Sequence, residues 1–289
     1  MSSLVTALSI ERPDGNQLDL MQPAYLRITG TQGFRDVISR RVSRPATGRD
    51  GAIDATRFRD ERLMTITGLV LDAVTNDPAV VWATWGQVQA AFAGAVDTDR
   101  LLQWTAGGVA LQAHVRLDEL SAPVEVGPNV LRWQAQLRCP SGLAFSQQLE
   151  SVVVVGSDAV GGGGMTMPFA FPVHFQPVSS TTVAVTNQGS MPAPVTLILR
   201  GLMRNPAVRC GDRRIVLAGD IAPGDEMWID TGRRTVLLNN QPTANRRSML
   251  RAAQSRWFSL PPQVPTLLTL EVEDFDSGTE LEIQFRHAY

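Results

Sequence analysis

Three histidines, His114, His174 and His287, are the side chains best suited to acid–base or metal chemistry near neutral pH. They are far apart, with no H-x-x-x-H spacing and no companion cluster of cysteine or carboxylate, so no zinc-type ligand set is present in the sequence. Cys139 and Cys210 are too few for a disulfide framework or a metal cage and read as inert, buried thiols. The run Gly161 to Gly164 lacks the Lys-Ser/Thr of a phosphate loop, and no G-x-S-x-G nucleophile elbow occurs. Neighbouring carboxylates do occur, at Asp225/Glu226 and Glu271/Glu273/Asp274. Paired carboxylates serve glycoside hydrolysis, but acidic strands and turns on a solvated face are the commoner cause. Asp274, Asp276 and Glu280 have D-x-D-x-x-x-E spacing, short of a full calcium loop. The expectation is a protein without catalytic residues, cofactor or metal: not an enzyme.

Two other residue types suggest binding. Trp228 and Trp257 fall near strands of the second half, where exposed indoles would stack on sugars, although packing is the more frequent fate of tryptophan. The segment from Arg35 to Arg62 holds eight arginines against five carboxylates, 8 − 5 = +3, so the rest of a chain of net charge −2 carries −5. Its middle, from Ser43 to Ala55, has almost no large apolar side chain and should project as a loop or long hairpin. Arg40, Arg41, Arg44 and Arg49 are therefore candidate contact residues. All 26 basic residues are arginine, which suggests a GC-rich coding sequence. The net charge of −2 argues against wholesale nucleic-acid binding.

The elements behind these residues are mostly strands. Val195/Leu197/Leu199, Met227/Ile229, Val236/Leu238, Leu268/Leu270/Val272 and Leu281/Ile283/Phe285 alternate with period two, separated by turn residues such as Ala222 to Asp225 and Asp274 to Gly278. Asn245 to Gln254 could form a short helix. In the first half, Met64 to Leu71, Leu101 to Trp104, Val109 to Leu117 and Val130 to Leu137 read as strands. One helix is expected from Pro78 to Ala93, with Asp77 as N-cap, Gly94 as stop and an apolar stripe of Val81, Trp85, Val88 and Phe92. The glycine-rich stretch 156–166 reads as a linker between a domain of residues 1–155 and one of residues 167–289. No apolar run reaches the about 18 residues of a membrane span, and the start MSSLVTALSIERPDG does not read as a secretory signal. Synthesis and folding in the cytoplasm are expected.

The order of motifs in the second half resembles the siphophage distal tail protein family. The strand GSMPAPVTLILRG (189–201) is followed by GDEMWIDTGRRTVLLNN (224–240), by SRWFSLPP (255–262) and by a last pair of strands ending in EIQFRHAY. Gly224, Asp225, Ile229, Asp230, Arg234, Thr235, Val236, Leu238, Asn239, Trp257, Leu260 and Pro261 match that family's pattern. Pro262-Gln263 departs from it, since the usual glycine is absent and the turn should differ. The resemblance implies a mostly β protein: a tail-tube-like β-barrel or sandwich domain with one helix, then a galectin-like β-sandwich of jelly-roll type. It implies a structural virion protein at the tail tip, forming a homo-oligomeric ring of six copies. The first domain would hold the ring contacts and the second would decorate its outside. Implied partners are the chain itself, the tail tube protein, the tail-tip hub or tail-associated protein, the tape-measure protein and a receptor-binding protein. A carbohydrate-binding module and an envelope-degrading glycosidase or esterase are the alternatives, because fold alone does not decide function.

Overall fold

A computed structural model describes residues 5–34, 39–40, 43–45, 52–54, 58–155, 179–276 and 278–289. The chain divides into two compact units, Met1–Gln147 together with Tyr289, and Gln148–Ala288.

Unit 1 contains β1 (Val5–Glu11), β2 (Gln17–Asp19), β3 (Leu26–Gln32), β4 (Ser39–Arg40), β5 (Ser43–Pro45), β6 (Ala52–Asp54), β7 (Phe58–Arg59), β8 (Arg62–Leu71), α1 (Pro78–Ala93), β9 (Arg100–Ala106), β10 (Val109–Leu120), β11 (Val124–Gly127), β12 (Val130–Cys139) and β13 (Phe145–Ser146). The main sheet runs β2-β1-β9-β10-β12-β8-β3, with β11 added to β12 and β13 to β10. The long strand β10 changes partner along its length. Val109 to Val115 pair with β9, and Arg116 to Leu120 pair with β12 after a register slip between Leu117 and Glu119. A strand that passes from one pairing to another at a bulge bends the sheet around its core. The ends β2 and β3 do not pair with each other, so among the described residues the sheet is an open sandwich and not a closed barrel.

Alternation decides which side chains meet. On β8 the buried residues include Met64, Ile66 and Val70, and on β12 they are Leu131, Trp133, Ala135, Leu137 and Cys139. Gly68 lies directly opposite Trp133, and a Cβ at Gly68 would come within 2.7 Å of the indole. The glycine is there to admit the ring.

Helix α1 packs on this core through Val81, Trp85, Val88, Ala91 and Phe92. Asp77 caps it, its Oδ1 accepting the Ala79 N–H at 2.8 Å. Gly94 ends the helix as its C-cap, as expected, but not through a left-handed conformation. It stays right-handed at φ −63°, and its small size matters because a Cβ would meet the Pro13 side chain at 2.7 Å. Ahead of the helix the buried carboxylate of Asp72 accepts from the backbone N–H groups of Val74, Thr75 and Asp77 and from the Thr75 hydroxyl. These charge-favouring bonds, that of Thr75 foremost, hold its pKa well below the usual carboxylate range.

Unit 2 contains β14 (Glu150–Val155), β15 (Ser179–Thr186), β16 (Val195–Arg200), β17 (Met203–Arg204), β18 (Ala207–Cys210), β19 (Arg213–Val216), β20 (Asp220–Ile221), β21 (Glu226–Asp230), β22 (Thr235–Leu238), β23 (Pro265–Val272), β24 (Asp274–Phe275) and β25 (Glu280–Phe285). Its sheets are five-stranded, β14-β25-β16-β21-β22, and four-stranded, β15-β23-β18-β19, with a small β20-β17-β24 sheet. Leu197, Leu199, Leu281, Ile283, Met227, Ile229 and Val236 are buried from the first, and Leu268, Leu270, Val272, Val208 and Ile215 from the second. This is the antiparallel sandwich that the alternation predicts.

Two expectations change. The apolar run at Val152 to Val155 was assigned to the first domain, ending at 155. It is instead the strand β14, paired along its whole length with β25 from Glu150↔Phe285 to Val155↔Glu280, and it belongs to unit 2. The linker 156–166 and the stretch 167–178 lie outside the described residues. The expected helix at Asn245 to Gln254 is a single 3-10 turn, Arg247–Met249, in an otherwise irregular segment. Backbone groups that a helix would use serve neighbouring strands instead: the N–H of Arg246 donates to Val236, the N–H of Arg251 to Val216, and the carbonyl of Met249 accepts from Ala218.

Candidate interaction surfaces

Among the described residues no group of three or more His, Cys, Asp or Glu could hold a metal ion. His114 is exposed on β10. His287 accepts the Gln188 N–H at its Nδ1, 3.1 Å away, and its Nε2 lies 3.8 Å from Glu150. His174 lies outside the described residues. Cys139 and Cys210 are buried and free, and burial pushes the Cys210 thiol up in pKa.

Within the arginine-rich segment two short antiparallel strand pairs are described, β4 with β7 and β5 with β6. Arg40 on β4 stands opposite Phe58 on β7, and Arg44 on β5 opposite Ile53 on β6. Arg41 and Arg49 lie outside the described residues.

The two tryptophans are on different elements. Trp228, on β21, is half-buried, with its indole Nε1–H donating to Glu226 at 2.8 Å. Trp257 is half-buried beyond the 3-10 turn, and its carbonyl accepts from Arg213 at 3.3 Å.

Around Trp228 is a cluster that sequence reading missed. On the face opposite Leu197 and Leu199, Arg200 of β16 meets Glu226 of β21 at 2.7 Å and Glu280 and Glu282 of β25 at 3.0 and 2.7 Å. Ser151 and Gln284 both donate to Glu282. Hydrogen bonds to these carboxylates raise the Arg200 pKa further and lower those of Glu226 and Glu282. The acidic neighbours thus have a structural use, tying three strands together across register. Glu271 is paired with Arg209 and Glu273 with Asn205.

The motif residues build turns. Gly224 takes φ +87° at the turn before β21. Asp230 Oδ1 accepts from the N–H groups of Gly232 and Arg233, closing the β21–β22 hairpin. Asn239 returns to the other end of that hairpin, its Oδ1 accepting the Glu226 N–H at 2.8 Å. At the departure from the motif, Gln263 itself adopts φ +60°, the conformation a glycine would take. Its Nε2 donates to the carbonyls of Gln188 and Gly189 at 2.6 and 3.1 Å, which offsets the strain. Beside it, fully buried Asn187 donates to Met191 and Leu260 and accepts from Gly189. The turn is kept by other chemistry.

Comparison with known proteins agrees with this architecture. Residues 173–289 match the family described as siphovirus-type tail component, C-terminal domain. No curated protein is similar enough in sequence to count as a match. The crystal structure of the Dit protein of phage SPP1, described as a paradigm of the hub adsorption apparatus in phages that infect Gram-positive hosts, superposes with a TM-score of 0.66 at 13% identity, covering 98% of this chain and 99% of that one. A chain of the phage P2 baseplate in its calcium-activated conformation superposes with a TM-score of 0.53 at 9% identity, with 97% of each chain covered. The second unit thus carries a match to the siphovirus-type tail component C-terminal domain, and the chain as a whole shares the fold of SPP1 Dit.

Proposed function

We propose that this chain is a structural component of a long, non-contractile phage tail, assembled as a closed ring of about six copies at the distal end. The observation that carries the reading is a fold shared from end to end with SPP1 Dit, both units included. Unit 1 forms the ring contacts, and unit 2 stands outside as an independently packed sandwich. The tail tube, the tape-measure protein and the tail-tip hub are its axial neighbours, and a receptor-binding protein attaches at the periphery. A ring needs self-complementary or head-to-tail surfaces and no active site. The arginine-rich hairpin, too polar to bury itself, supplies contacts to a neighbouring copy or the next ring.

Light scattering and negative-stain imaging of the purified chain test this. Rings with one consistent copy number are expected, and a strictly monomeric protein at high concentration, also absent from assembled tails, would overturn it. A carbohydrate-binding reading has one observation in its favour: the Trp228 indole lies among Arg200, Glu226 and Glu282 on an outer sheet face. Glycan binding lost in Trp228→Ala by a monomeric protein would favour that reading instead.

A further inference from the structure

One edge of unit 2 has a charge distribution unlike the rest of the chain. From Thr231 to Leu270 the sequence contains Arg233, Arg234, Arg246, Arg247, Arg251 and Arg256 and no aspartate or glutamate. The segment that carries the last four is strapped across the edge strands of both main sheets. Asn245 bridges Leu237, beside which Arg246 donates its N–H to Val236 of β22. Leu250 bridges Leu217, and the N–H groups of Arg251 and Arg256 donate to Val216 and Arg214 of β19. Backbone groups thus face the strands while Arg246, Arg247, Arg251 and Arg256 are exposed, joined at the β19 end by exposed Arg213 and Arg214.

Several other outward arginines meet carboxylates, as Arg200 with three glutamates, Arg204 with Asp220, Arg209 with Glu271 and Arg138 with Asp118. On the strap, Arg213, Arg247 and Arg251 donate only to neutral acceptors, the Trp257 and Arg234 carbonyls and the Asn205 amide oxygen. Among the described residues the side chains of Arg214, Arg246 and Arg256 have no partner. Like charges concentrated on one edge with few counter-charges, Asp230 beside Arg233 and Asp212 beside Arg213, cost stability through repulsion and form a ready site for a polyanion.

We infer that this strap binds a phosphodiester polymer with hydroxyl-bearing repeats, of the polyol-phosphate kind. Guanidinium forks match phosphate oxygens two at a time. Val216 and Arg214, which anchor Arg251 and Arg256, are two residues apart on β19, so the backbone anchors of these two arginines lie roughly 6.6 Å apart by strand rise, on the scale of successive phosphates. Exposed Asn240, Gln241, Asn245, Ser248 and Gln254 lie between and beside them and suit hydroxyl groups. An acidic protein fits less well, because no large apolar side chain is exposed between 231 and 260 to anchor an interface. A nucleic acid also fits less well, because 231–256 contains no aromatic residue on which bases could stack, and of the two that follow Trp257 is half-buried and Phe258 buried.

The site is independent of the ring reading. The test titrates the full-length chain with a fluorescent glycerol-phosphate oligomer, poly-glutamate of equal charge, and single- and double-stranded DNA, across a salt series. The oligomer should bind most tightly, with affinity falling steeply as salt rises. Arg246→Gln/Arg247→Gln and Arg214→Gln/Arg256→Gln should each weaken binding by about 10-fold and flatten the salt dependence, while Arg132→Gln on unit 1 changes neither. Using two separate pairs keeps the result readable if a quadruple variant fails to fold. Poly-glutamate bound as tightly as the oligomer, DNA bound more tightly, or no loss in either pair would each overturn the proposal.

Discussion

Arg62 donates from Nη2 to the carbonyl oxygen of Tyr289, 3.2 Å away and 227 positions distant in sequence. Its Nη1 reaches the Phe34 carbonyl at 3.4 Å, and the side chain is only 3% exposed. Tyr289 is further held by reciprocal backbone bonds with Ala144, at 2.8 and 3.1 Å. It therefore belongs to unit 1 although every residue just before it belongs to unit 2. A buried cation that loses an acceptor keeps its desolvation cost.

Deleting Tyr289 should accordingly destabilise unit 1 by about 2–4 kcal/mol, the loss of a charge-assisted bond plus two backbone bonds. Arg62→Met should cost less than the deletion, because it removes the charge together with its need for acceptors. Urea unfolding followed through the buried Trp104 and Trp133 checks the order. A deletion with an unchanged midpoint would show that Tyr289 does not hold Arg62.

The two helix tryptophans should behave oppositely. Trp85 is 7% exposed and Trp82 is 50% exposed. Trp85→Ala should cost roughly 3–5 kcal/mol, as for other large core truncations. Trp82→Ala should stay within about 0.5 kcal/mol in the isolated chain. Thermal melts of the two variants side by side decide it, and equal losses would mean that the stripe is misassigned.

Asp72 should make unit 1 acid-sensitive. Folding lowers its pKa, so the stability it contributes is complete above the unfolded carboxylate value of about 3.9. It is lost progressively as pH falls below that value toward the depressed folded pKa. Asp72→Asn replaces an acceptor-only group with one that also donates, facing the N–H groups of Val74, Thr75 and Asp77. The melting temperature of the variant should lie below that of the parent at pH 7, and the gap should narrow steadily below about pH 4. A gap that stays constant down to pH 2 would separate the carboxylate charge from the effect.

Local chemistry was readable in the sequence and long-range pairing was not. Asp77, Pro78 and the stripe ending at Phe92 carry their own helix within 16 residues. The strand alternation and the Gly224 to Asn239 hairpin are equally local, since the hairpin is closed by side chains 2 and 13 positions from the groups they bond. The strand β14 was misassigned because nothing within Val152 to Val155 reveals a partner 130 positions later. The Arg200 cluster was missed for the same reason: its three glutamates come from two other strands and meet only through register. The strap was misread as helix because its helical propensity is real, yet two open strand edges compete for its backbone. Gln263 shows the remaining limit. A motif glycine is dispensable where a longer side chain can hydrogen-bond the strained turn in place.

The charged hairpin should matter to assembly and not to the fold. Among the described residues its strands pair with each other, β4 with β7 and β5 with β6. Deleting residues 43–55 removes β5 and β6 and shortens a loop, a change worth only about 0.5 kcal/mol. The melting temperature of the isolated chain should therefore barely move, while the yield of assembled tails drops sharply. Arg40, Arg41, Arg44 and Arg49 are expected to meet carboxylates or carbonyls of a neighbouring copy or the next ring. Arginines lining a channel through which DNA must pass would grip its phosphates and retard it. Arg40→Glu/Arg44→Glu should then block assembly outright, whereas a channel-lining role would allow assembly and slow DNA ejection. Counting tails by electron microscopy and timing ejection from the same preparation separates the two, and normal counts with the deletion would take the hairpin out of the mechanism.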